Sequence, residues 1–399
     1  AGGGVGGKVE TSGHVLGVTG TVNAGAGGEW LLDPVSITIA NSGGQVTPGN
    51  IVNALNAGTS VTIDTTGSGS CTAGVTCSYP DGVGFIRVSN DIVTSTMVDD
   101  ATLHLKAHQA IYMEPGVTID ATQNSNTQKL NVILQSRASD NAGGVIEIRR
   151  QASIKTNGGD IILGGSSDIE TGYAVGAGDT FGIKLISPTL LSGGGNIVMR
   201  GQSNIANGSD GVVIEGQDAG WSIDSGTGTI SITGVSKGTN SAFASGVRFN
   251  YANGGTVTSA STEANAISIS GDASAASGTT TRSDGVTIEN GTVFSATGNG
   301  GGISISGVGT SSNCSADQGC YGISATNKNG TGQAKFLAAS GPINFSASGG
   351  AGVNTKLYLN TSTVGFDGSI LNASSSDITL TADSVNLGGS TIQSSGALT

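Results

Sequence analysis

The stretch NAISISG, residues 265–271, sets the reading of the whole chain. Its echoes are GGNIVMRG (194–201), GTISITG (228–234), GGISISG (301–307) and GPINFSA (341–347). Between them sit DGVVIEG (210–216), SGVRFN (245–250), DGVTIEN (284–290) and YGISATN (321–327). The first apolar residues of these phrases are Ile197, Val212, Ile230, Val247, Ile267, Val286, Ile303, Ile323 and Ile343, a recurrence of about 18 residues. Each phrase alternates apolar and polar side chains, as a strand with one buried face does. Gly, Asn or Asp flanks each one, and these residues favour turns. Upstream, GVTID (116–120), LNVIL (130–134), GGVIEI (143–148), GGDIIL (158–163) and GIKL (182–185) continue the pattern less regularly. GNIVNALNAG (49–58) is the one helical candidate.

A strand that recurs at this interval cannot bury its apolar face alone, but coils stacked on one another share a narrow core. The expected fold is all-β, a right-handed parallel β-helix with rungs of about 18 residues; the hand follows from the rule for parallel crossovers. The competing fold is a β-sandwich, in which turn signals fall roughly 8–12 residues apart. The organisation expected is a solenoid start with a Trp-containing edge over 1–50, an irregular region with a loop and a short helix over 51–110, and regular coils over 111–399.

Composition supports a thin core. The chain has 399 residues, 69 of them Gly, with 4% aromatic and 11% charged residues, too few large side chains to fill a compact globule. There is no collagen period, and 36% apolar content argues against disorder. The net charge of −12 without a basic cluster excludes nucleic acid as a partner. No run of about 18 apolar residues exists, so no helix is expected to insert into a membrane.

Cys71 and Cys77 enclose TAGVT, and Cys314 and Cys320 enclose SADQG. Two local disulfides fit this spacing, which implies an oxidising compartment. Zinc is the rival, but the spacing is not that of a finger and no His is near. GGEWLLDP (27–34) gathers Trp30, Leu31 and Leu32 in a chain poor in large residues. Two readings stay open: a plug over an exposed end rung, with Asp33-Pro34 breaking the edge pairing, or packing under a side loop.

Catalysis finds little support. Asp99 and Asp100, with Asp91 near, form the densest acidic group, but neighbours on a strand point to opposite faces, so a solvated turn is expected. Arg149-Arg150 reads as a loop or strand edge. His104 and His108 on a strand would share a face about 13 Å apart, and with His14 they make no metal set. The Gly clusters lack the helix that a phosphate loop needs. Thr residues do not align between rungs, which argues against an ice-binding face. Asn and Thr at equivalent positions are expected to form side-chain ladders. Protrusions at 239–246 and 311–320, with the Cys71–Cys77 loop, are the expected places for receptor contact.

GGKVETSGH with GGEWLLDPVSITI, then HQAIYMEPGVTIDA (108–121), LNVILQSRA (130–138) and GGVIEIRRQASIKTNGGDIILGG (143–165), resemble consecutive segments of the filamentous haemagglutinin/HMW-type adhesins. The resemblance implies a rigid, non-enzymatic fibre outside the bacterial cell or on its surface, without a cofactor or metal. It implies export by two-partner secretion through an outer-membrane partner, and attachment to a receptor on host cells, other bacteria or matrix, a glycan among the candidates. It also implies an interior or C-proximal piece of a longer protein. Some members of that family carry N-linked hexose, and sequons here begin at Asn207, Asn290, Asn313, Asn329, Asn360 and Asn372. The alternatives are a subunit of an extracellular filament that self-associates end to end, and a β-helical carbohydrate-active enzyme.

Overall fold

The computed structural model describes residues 6–13, 16–67, 84–123, 128–139, 143–176, 181–203, 210–218, 220–238, 244–250, 253–276, 283–310, 320–327, 332, 334–349, 356–361, 370–374, 376–382, 384–386 and 391–399. Three sheets of 13, 11 and 10 strands, called A, B and C here, run along the chain. Sheet A runs from Lys8–Gly13 to Ile378–Thr381, sheet B from Ile37–Ile39 to Ser384–Asn386, and sheet C from Ile92–Val93 to Thr391–Ser394. Their ladders are parallel, and the chain forms a parallel β-helix.

The repeated phrases fall alternately on two sheets. Ile197, Ile230, Ile267, Ile303 and Ile343 stack in sheet A, whereas Val212, Val247, Val286 and Ile323 stack in sheet B. The step of about 18 residues therefore carries the chain from one sheet to the next, and two steps complete one coil. Sheet C supplies the third side through short strands such as Ser222–Asp224, Thr256–Ser259, Val293–Ala296 and Lys335–Ala338.

Inside, the stacked aliphatics are fully buried, each side chain contributing about 1.5–3 kcal/mol on leaving water. The few aromatics are concentrated there too. Trp221, Phe249, Phe294, Phe336 and Phe345 form a chain with successive ring centroids 5.8, 5.1, 5.2 and 4.9 Å apart. In a core thin in large side chains, these rings form one continuous column.

The coil corners explain the glycine content in two ways. Between sheets C and A, Thr156, Ser192 and Ser225 each donate a side-chain hydrogen bond to the carbonyl three residues on, at Gly159, Gly195 and Gly228. A Cβ at Gly195 would lie 2.1 Å from the Gly159 oxygen of the preceding coil. Between sheets A and B, a Cβ at Gly271 would lie 1.9 Å from the Gly285 oxygen, although Gly271 is not in the left-handed region. Close approach of two backbones, rather than positive φ, excludes a side chain there.

The first coils differ. A helix, Pro48–Asn56, stands where later coils have a sheet-C strand. Thr47 caps it, accepting from Asn50 N at 3.2 Å, while Asn50 Oδ1 accepts from Thr47 N at 3.2 Å. Its Ile51, Ala54 and Leu55 are buried in the core. Its last residue reaches the first sheet-C coil, where Asn56 Oδ1 accepts from Ser95 N (3.3 Å) and Thr96 N (3.4 Å). The segment 16–28 runs against this second coil, with Leu16 buried and Val18 and Val22 packed on the core. We expect Thr47→Ala to cost about 1 kcal/mol, read as a lower midpoint in urea unfolding, with Thr47→Ser close to wild type.

Trp30 belongs to the same end. On the strand Glu29–Pro34, Trp30 and Leu32 point inward and Leu31 outward. Trp30 Nε1 donates to Thr11 Oγ1 on the edge strand Lys8–Gly13 at 3.1 Å, so the ring fills the core beneath the edge coil. Asp33 and Pro34 pair back to Ser12 and Gly13, while the ladder to the next coil stops at Leu32.

Candidate functional site

Four consecutive connections from sheet A to sheet B, at 203–211, 236–246, 273–285 and 310–322, start and finish at the same corner of successive coils. The expected protrusions, 239–246 and 311–320, both belong to this set, and their tips lie outside the described residues. The loop bases cover the outward face of sheet B: in Val212–Glu215 and Val286–Glu289 every residue is buried, outward positions included.

Charged residues gather beneath those bases. Arg248, outward on the strand Val247–Asn250, places Nη1 3.8 Å from Asp210 Oδ2 and Nη2 3.5 Å from Glu289 Oε2. Asp210 Oδ1 also accepts from Ser245 N at 2.7 Å, which ties the exits of two successive loops together. Glu215 meets Lys184 Nζ at 3.5 Å and accepts from Gln217 Nε2 at 2.7 Å. Asp284 holds the same place two coils on. Its oxygens accept from Tyr321 N (2.9 Å), Thr287 Oγ1 (3.1 Å) and Ser324 Oγ (2.6 Å). Burial pushes the Asp210 carboxyl up to about 6, partly offset by Arg248 and the Ser245 N–H.

Nearer the N-terminus the outward face of sheet B carries a second cluster. The Arg87 and Arg149 guanidinium carbons lie over the Tyr112 ring, 5.3 and 5.0 Å from its centroid. Glu114 Oε1 accepts from Arg87 Nη1 at 2.5 Å and Arg149 Nη1 at 2.9 Å, and Arg149 Nε reaches Glu147 Oε2 at 3.1 Å. These contacts clasp three coils. The strand ends at Ile148, so both arginines lie outside the core, and Arg150 pairs with Asp218 at 2.9 Å.

The remaining faces are polar and ordered. Ser231, Ser268, Ser304, Asn344 and Thr379 stack outward on sheet A, beside Thr233, Ser270, Ser306, Ser346 and Thr381. On sheet C, Thr118, Ser153, Thr189, Ser222 and Thr256 stack likewise. Threonines alone do not line up from coil to coil in these columns, whereas hydroxyls of either kind do. Serine and threonine alternate in one column, which hid the alignment from a search for Thr alone. The expected side-chain ladder is present: Asn131, Asp160 and Asn196 each accept from the backbone N of the next coil, at 2.9, 2.7 and 2.9 Å.

Other residues singled out in the sequence scatter. Asp99 and Asp100 are exposed in a bend, and Asp91 accepts from Thr118 N at 2.8 Å. His104 hydrogen-bonds Gln135 at 2.8 Å and burial lowers its pKa. His108 lies past the strand end at Lys106 and contacts Ser139, so the two histidines do not share one strand face. Among the described residues no group of three or more metal-ligating side chains comes together. Cys320 is buried and disulfide-bonded; Cys71, Cys77 and Cys314 lie outside the described residues, as do His14, Asn207, Asn313 and Asn329. Asn290 is 1% exposed at a φ of 57°, which leaves no room for a sugar on the folded coil. Asn360 lies on the strand Lys356–Thr361, and Asn372 is half-buried on Ile370–Ala373.

The chain matches no protein-family model and no curated protein sequence. Sequence reasoning missed the Asp210–Arg248–Glu289 group. Its signals were the repeated Asp-Gly before a sheet-B strand (210–211, 284–285) and an arginine at an outward strand position.

Proposed function

We propose that this chain is the stalk of an adhesin that acts outside the bacterial cell or on its surface. It is a passive, non-enzymatic rod that holds binding loops away from that surface. The observation that carries this reading is the unbroken parallel stack. Twelve coils in register along sheet A span roughly 50 Å at about 4.8 Å per coil. A second support is that four successive connections of nine residues or more start at the same corner of the coil, since connections on a rigid scaffold are where recognition residues concentrate. Within the proposal, Cys71 pairs with Cys77 and Cys314 with Cys320, Asn207, Asn329, Asn360 and Asn372 are the candidate sequons for hexose, and an outer-membrane partner exports the chain. The receptor is a surface glycan or protein on host cells, other bacteria or matrix.

The test uses beads coated with folded chain, with urea-denatured chain, or with chain whose 236–246 and 310–322 connections are replaced by Gly-Ser linkers. Folded chain is expected to bind epithelial cells, bacteria or matrix more strongly than either control. Equal binding by all three coatings on every target would remove the proposal.

A further inference from the structure

We draw no further inference here: the strongest candidate, the two columns of small polar side chains outward on sheet A from Ser231 to Thr379 and from Thr233 to Thr381, is a regular sheet face with nothing in the structure to show what covers it.

Discussion

Arg248→Met should cost the loop-bearing coils about 3–5 kcal/mol at neutral pH, among the largest losses expected from one side chain in this protein. Arg248 is 14% exposed, and its partners Asp210 and Glu289 are 3% and 2% exposed, so little solvent screens them. Methionine fills most of the arginine stem's volume, so the loss reports charge rather than a cavity. It leaves two carboxylates buried against each other with their shared cation gone. Two further results follow from the same physics. Acidification should restore part of the stability, since the Asp210 carboxyl, already pushed up by burial, then takes a proton more readily. The triple variant Arg248→Met, Asp210→Asn, Glu289→Gln should recover to within about 1 kcal/mol of wild type, because a buried ion group replaced as a unit costs little. Urea unfolding followed by circular dichroism measures all three. An Arg248→Met protein within about 1 kcal/mol of wild type at neutral pH would show that the group is solvated and not a charge cluster.

The solenoid was legible in the sequence because stacking imposes one rule on every coil. Ile267 must sit where Ile230 and Ile303 sit, so the phrase is copied, and copying is visible without any alignment. Sheet C was harder to see. Its strands turn in one or two residues per coil, such as Val257 or Phe294, too few for alternation to stand out from Ser and Thr. The helix could be read because Thr47, Pro48 and Asn50 form a local cap that needs no tertiary partner. The charge cluster could not. Asp210, Arg248 and Glu289 are far apart in sequence, and each alone resembles an ordinary surface residue. Only the register of sheet B, which sets Val212 beside Val247 and Val286, brings them within reach. The aromatic column was hidden for the same reason, since Phe249, Phe294, Phe336 and Phe345 come from three sheets and Trp221 from just before a strand.

That column yields the other large effect. Phe294→Ala is expected to cost about 3–5 kcal/mol, because the Phe294 ring lies edge-on to Phe249 at 5.1 Å and stacked on Phe336 at 5.2 Å. Truncation leaves a gap bounded by two rigid rings on neighbouring coils, and parallel ladders on both sides prevent the backbone from closing it. Phe294→Leu keeps most of the volume and should cost less than about 1.5 kcal/mol. The stack adds a consequence that a globular core would not show. Each coil touches only its neighbours, so stability is a sum of coil and interface contributions. A weak interface in mid-column should separate the coils before residue 294 from those after it, giving two unfolding steps in urea where Phe294→Leu gives one. Loss of Phe294 with a single unchanged transition would mean that the rings do not couple adjacent coils, and that the hydrogen-bond ladders alone carry cooperativity along the rod.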